Sequence, residues 1–180
     1  MHEDIEKVLV AEEVIEKRLD VIAERITADF REEETLQAVA ILKGALVFMA
    51  DLLRRVPLKL DLECINVASY HGGTESSGQV DFLDQKLPDV KGRTILLLDD
   101  ILDTGRTLQA VSERLLEMGA KEVKTCVLLT KDKERAAEVE ADYSAFEIGD
   151  EFVVGYGLDY DGKYRNLPYV GVLDPKAIKS

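Results

Sequence analysis

The stretch ILLLDDILDTGRTL, residues 95–108, decides how this chain is read. Ile95 to Leu98 form a short apolar run that suits a buried strand, and Asp99 and Asp100 follow where that strand is expected to end. A short loop of Asp103, Thr104, Gly105, Arg106 and Thr107 then opens a helical pattern. Together these parts make a place to hold a phosphorylated sugar. Glycine lets backbone N–H groups approach phosphate oxygens, and the positive end of the helix dipole favours the anion. The adjacent acids can bind sugar hydroxyls, or a divalent metal that arrives with the substrate. The plainer reading is a strand-to-helix turn with two solvated aspartates, which does not require all of these parts together.

Working outward, Ile15, Leu19, Ile22, Ile26 and Phe30 recur in steps of three and four, so residues 11–30 are expected to form an amphipathic helix. The run Arg31-Glu32-Glu33-Glu34 reads as its solvated end. Leu36 to Leu42 reads as a buried strand ending at Lys43-Gly44, and residues 45–56 as a helix stopped by Pro57. Residues 59–70 alternate like a strand with Leu60, Leu62, Cys64 and Val67 facing inward, and 71–78 form a Gly/Ser-rich loop. The helix from Arg106 to Met118 should end at Gly119, with a strand over Val123–Leu129. Shorter strands are expected near 143–147, 152–154 and 170–173. Strands alternating with helices imply right-handed crossovers and a mainly parallel sheet flanked by helices, an α/β fold. Ligands of such folds gather beyond the carboxyl ends of the strands, where Lys43, Asp99, Asp100 and Lys131 all fall. One cleft could collect them.

The 180 residues suit a single domain, 1–180, with a real core, and 46% hydrophobic with 33% charged residues describes an ordinary globular chain. No stretch reaches the roughly 18 apolar residues of a membrane span. The start, MHEDIEKVLV, lacks the apolar centre of a signal peptide, which points to the cytoplasm; His2 is expected in a disordered terminus. Cys64 and Cys126 lie in apolar runs without metal-ligand spacing and read as buried free thiols. A net charge of −13 disfavours nucleic-acid binding, which needs phosphate neutralisation by Lys and Arg. It is equally a poor overall field for an anionic substrate, so local cations would have to compensate.

The 95–108 run resembles the signature of the phosphoribosyltransferases that use phosphoribosyl pyrophosphate (PRPP). The other motifs resemble the 6-oxopurine branch of that family, the hypoxanthine-guanine phosphoribosyltransferases. They stand in the family's order: LKG at 42–44, SY at 69–70, LLTK at 128–131, FVVGYGLDY at 152–160 and KYRNLPY at 163–169. The similarity spans residues 35–174. It implies a type I phosphoribosyltransferase-like fold, with a small hood over the cleft built from the first residues and the C-terminal segment.

The resemblance also implies the chemistry: purine salvage by magnesium-dependent transfer of the phosphoribosyl group from PRPP to hypoxanthine or guanine, giving IMP or GMP plus pyrophosphate. Asp103, Thr104, Gly105, Arg106 and Thr107 would wrap the 5′-phosphate, and Asp99 and Asp100 would face the ribose hydroxyls and Mg2+. Asp103 would serve as acid/base at purine N7, although such an aspartate can simply cap the next helix. Lys43, Gly44 and Arg165 would meet pyrophosphate, the glycine allowing an unusual backbone, and Asp159 would hold a second magnesium beside the purine. Lys131 would donate to the 6-oxo group, Phe152 and Ile101 would sandwich the base, and the Val153 carbonyl would accept from a guanine 2-amino group. Ser69 and Tyr70 would belong to a lid, with His71 incidental, and a homodimer or homotetramer follows from family habit. Two departures stand out: Asp99 where glutamate is common, and Arg106 inside the phosphate loop. Arg106-Thr107 is also similar to the RNA-binding pyrimidine-operon regulators that share the PRPP signature, an alternative that calls for a basic face. A xanthine-preferring transferase is the other alternative.

Overall fold

A computed structural model describes residues 1–69, 80–133, 136–137 and 139–178. The chain runs β1 (Ile5–Val10), α1 (Glu12–Asp29), β2 (Leu36–Leu42), α2 (Leu46–Leu53), β3 (Leu60–Ser69), β4 (Val80–Phe82), β5 (Thr94–Leu102), α3 (Arg106–Glu117), β6 (Glu122–Lys131), β7 (Tyr143–Ile148), β8 (Val153–Val154) and β9 (Val170–Leu173). A 3-10 turn over Pro175–Ala177 follows β9.

Six strands form one sheet in the order β4-β3-β2-β5-β6-β7, parallel except for β4. The runs 36–41 and 95–98 are buried without interruption, as strands covered on both faces must be. On one face α1 and α2 pack Ile15, Leu19, Ile22, Phe48 and Leu52 against Ala38, Ala40, Leu96 and Leu98. On the other, α3 packs Leu108, Val111 and Leu115 against Val39, Leu97 and Val127. The chain order reverses between β2 and β5, which is where an open α/β sheet offers its ligand crevice.

A second, three-stranded sheet is ordered β1-β9-β8. It joins the first residues to the C-terminal segment through antiparallel pairs such as Ile5↔Leu173 and Val10↔Val170. This is the expected hood.

Several expectations are corrected. Leu60 and Leu62 are solvent-exposed, Leu62 at 48%, and the buried residue of β3 is Ile65. Only β2 flanks this length of β3, because β4 joins no earlier than Val67, and the eight-residue α2 packs over β2 instead. Cys64 is half-buried rather than buried, whereas Cys126 is buried as expected. His2 is tied down: its backbone N–H donates to Tyr169 Oη at 3.0 Å, and its ring meets Tyr164 edge-on. No helix among the described residues is long and apolar enough to cross a membrane.

Candidate active site

β5 extends through Leu102, so Asp99 and Asp100 lie within the strand and not beyond its end. The crevice opens there because β2 leaves its neighbour: the β2–β5 pairing stops at Ala40↔Leu98, while β5–β6 pairing continues to Leu102↔Thr130. The carboxylates turn back on the backbone. Asp99 Oδ1 accepts from the Asp100 N–H at 2.9 Å, and Asp100 Oδ1 from the Ile101 N–H at 2.8 Å. Asp99 is buried, and burial first, then repulsion from Asp100, holds its carboxyl well above the usual range. Asp100 is also raised, again chiefly by burial, with Arg165 among the groups opposing the shift.

A cavity of about 240 Å³ opens at this point. From the sequence expectations it collects Gly44, Asp99, Asp100, Ile101, Asp103, Thr104, Gly105 and Thr107, with Ile41, Leu42, Val67, Leu102 and Leu108 as apolar wall. It is smaller than the roughly 300 Å³ at which whole small-molecule sites begin. The remaining described candidates, Lys43, Arg106, Lys131, Phe152, Val153, Asp159 and Arg165 among them, are not part of its lining.

On the phosphate side, Gly105 takes a left-handed backbone (φ 80°) as the N-cap of α3, and no side chain caps that helix. The first intrahelical bond runs from Gln109 N–H to Gly105 carbonyl at 2.9 Å, so the N–H groups before it have no acceptor within the helix, the arrangement by which a helix start meets an anion. A side chain at Gly105 would collide with Val139. Arg106 begins the helix and is half-buried, outside the cavity lining.

Asp103 is therefore not a helix cap. Its Oδ1 lies 2.5 Å from Lys133 Nζ and its Oδ2 3.7 Å from Lys131 Nζ. Both lysines also reach Asp150 Oδ1, Lys133 at 2.9 Å and Lys131 at 3.2 Å. Lys131 ends β6 with only 8% of its surface exposed. Lys133 and Asp150 were invisible as site residues: in a chain one-third charged, a lysine two positions beyond a motif carries no distinguishing signal.

Gly44 behaves differently from its expected role. Its backbone is not left-handed; what requires glycine is space, because a Cβ would overlap the Asp100 carboxylate. Exposed Lys43 precedes it, joined to Leu42 by a cis peptide. Gly157 (φ 102°) packs against the Gly44 carbonyl with no room for a Cβ, which seats the hood segment on this loop. Arg165 holds the same corner, with Nη1 donating to the Gly157 carbonyl at 2.5 Å and Nη2 2.6 Å from Asp159 Oδ1. The other oxygen of Asp159 accepts from the Gly162 N–H at 2.7 Å.

Phe152 is 47% exposed beside Tyr160, ring to ring at 5.7 Å and edge-on. Val153 is buried in β8. Ser69 closes β3 opposite Val80; Tyr70 and His71 lie outside the described residues.

The fold recurs in known proteins. Residues 9–161 match the phosphoribosyl transferase domain family. A Bacillus subtilis protein named hypoxanthine-guanine phosphoribosyltransferase is 43% identical over 180 residues, covering 100% of this chain and 99% of that protein. The crystal structure of a Staphylococcus aureus hypoxanthine phosphoribosyltransferase superposes with TM-score 0.93 at 40% identity, over 100% of this chain and 97% of that one. A Trypanosoma cruzi hypoxanthine phosphoribosyltransferase, solved with the product IMP, superposes with TM-score 0.90 at 36% identity over 99% of both chains. Sheet order, cleft and end-to-end similarity agree, and the chain belongs to the hypoxanthine-guanine phosphoribosyltransferases of the phosphoribosyltransferase family.

Proposed function

We propose that this protein moves the phosphoribosyl group of PRPP to hypoxanthine or guanine, releasing IMP or GMP and pyrophosphate, as a purine-salvage enzyme of the cytoplasm acting as a dimer or tetramer. One observation carries the reading: the uncapped start of α3 and the Asp99–Asp100 pair face one cavity at the β2/β5 switch point. An anion-binding turn beside two crowded acids suits a sugar phosphate.

The 5′-phosphate takes the α3 amides and the Thr104 and Thr107 hydroxyls, with Arg106 adding charge at the loop. Asp99 and Asp100 orient the ribose. Lys43, the Gly44 loop and Arg165 receive pyrophosphate, whose negative charge grows as the C1–oxygen bond breaks. Asp103 exchanges the proton at purine N7, and Lys131 donates to the 6-oxo group, a position where an amino group would present hydrogens to a cation. Phe152 and Ile101 hold the ring, with the Val153 carbonyl at the 2-position, and Ser69 with Tyr70 closes the site to water.

The acid pair fits a magnesium ion that travels with PRPP. Such an ion shares only one or two protein carboxylates with substrate oxygens, and two adjacent carboxylates at the cavity supply that number. Asp99 and Asp100 would hold such an ion, which would supply positive charge to offset the leaving group's. Asp159 fits a second ion less well while Arg165 and the Gly162 amide engage both its oxygens; Arg165 must turn to pyrophosphate first.

A spectrophotometric assay with PRPP tests the reading, offering hypoxanthine, guanine, xanthine and adenine separately, with and without magnesium. Metal-dependent turnover of hypoxanthine or guanine is expected. Turnover of xanthine alone would reassign the base, and no turnover with intact PRPP binding would sink the enzyme reading.

A further inference from the structure

We propose that Lys133 is a positioning residue for Asp103, anchored by Asp150 so that the carboxylate stays held when Lys131 turns to the purine. The inference rests on the proposed role of Asp103 at N7.

The geometry distinguishes the two lysines. Lys133 is the closer to Asp103, at 2.5 Å against 3.7 Å, and each binds a different carboxylate oxygen. Lys131 is nearly buried at the end of β6, where its ammonium can serve the ring carbonyl of a base. Once it does so, Asp103 loses the cation at Oδ2 and gains a free oxygen directed to the ligand. Lys133 keeps the other oxygen. Without it, a carboxylate on a loop, not used as a helix cap, would then keep neither of its two lysines.

Asp150 supplies the fixed end. It precedes Phe152 and Val153 on the connection between β7 and β8, so the Lys133–Asp150 contact of 2.9 Å links Asp103 to the strand that meets the base. Both carboxylates hold the Lys133 ammonium above its ordinary range, Asp103 most strongly. A merely structural ion pair would be a weak alternative here. The Lys133 and Asp150 side chains are 30% and 66% exposed, and pairs that open to solvent contribute little to stability. The contact matters for where Asp103 points.

The test is steady-state kinetics with hypoxanthine on Lys133→Met, Lys133→Arg, Asp150→Asn, Asp103→Asn and the Asp103→Asn/Lys133→Met double variant, each with its melting temperature. Lys133→Met should lower kcat on the order of ten- to a hundredfold, the scale of misplacing a reacting group by an ångström, at unchanged KM for PRPP and unchanged melting temperature. Lys133→Arg should restore most of the rate, and Asp150→Asn should fall between. In the Asp103→Asn background the Lys133 change should add almost nothing. Wild-type kcat in Lys133→Met alongside a crippled Asp103→Asn overturns the positioning role and leaves the Asp103 assignment standing. Wild-type kcat in Asp103→Asn overturns that assignment itself. Equal losses in Lys133→Met and Lys133→Arg, with lowered melting temperatures, assign Lys133 to structure and also overturn the proposal.

Discussion

Asp99 shows what a substrate site costs its own fold. The side chain is buried next to Asp100, and both carboxyls are held above the usual range, Asp99 first by burial and then by its neighbour. The pair titrates as a unit. The folded chain therefore keeps protons that the unfolded chain releases, so this pair makes folding less favourable as pH rises. The loss begins near the unfolded carboxylate value of about 3.9 and is complete once pH has passed the raised native range. Asn at position 99 keeps an oxygen for the Asp100 N–H and removes the charge. With chelator present, Asp99→Asn should melt a few degrees above the parent at neutral pH, one kcal/mol being worth about 2–4 °C at this size. The advantage should shrink as pH falls toward about 4. Activity should drop in the same variant, since the charge is proposed to serve ribose and its metal. Equal melting temperatures across the whole pH range would show that the acids carry no such burden.

At the scale of elements, the site is a gap between β2 and β5, held open by the loops at their carboxyl ends. After β2 the loop turns at Gly44, whose missing side chain admits the Asp100 carboxylate. The loop cannot retreat: Leu42 pairs with Asn66, the Ala45 N–H donates to the Ile41 carbonyl at 3.3 Å, and Gly157 closes over the Gly44 carbonyl. Gly44→Ala should therefore displace Asp100 rather than the backbone. Its kcat/KM for PRPP should fall on the order of a hundredfold, with a stability loss of about 1–3 kcal/mol typical of overpacking. A variant with intact PRPP kinetics would mean that the loop relaxes freely. β2, β5 and α3 were legible in the sequence because their signals are local: short, mostly apolar runs, then a 3.6-residue period after Gly105. β1 was not, since its partner β9 lies more than 150 residues away and its own apolar positions do not alternate. The outward face of β3 misled for a related reason. Leucines at alternate positions name a face, but not whether anything packs on it. That the 103–107 loop and the acid pair share one cavity followed from residue type and order alone, whereas the Lys133–Asp150 contact depends on how two loops meet.

For the whole molecule, the governing quantity is a net charge of −13 on a protein proposed to capture a highly anionic substrate. Two fields compete at the mouth of the cleft. Far from it, the surplus of acids would repel PRPP; close to it, in their proposed roles, the α3 turn, Lys43 and Arg165 would attract. Their ranges differ. Interactions between exposed charges are screened beyond about 8 Å at physiological ionic strength, while contacts made inside a partly buried cleft are screened far less. Added salt should thus suppress the repulsion first. At fixed free magnesium, raising ionic strength from about 0.02 to 0.2 M, where the Debye length shortens to several ångströms, should increase kcat/KM for PRPP. The same change should leave kcat/KM for the neutral purine nearly constant, because it has no net charge to steer. Potassium chloride and potassium glutamate should give the same trend if the effect is screening and not anion competition. A fall in kcat/KM for PRPP in both salts would mean that the local cations dominate even at long range, and that the acidic surface serves solubility alone.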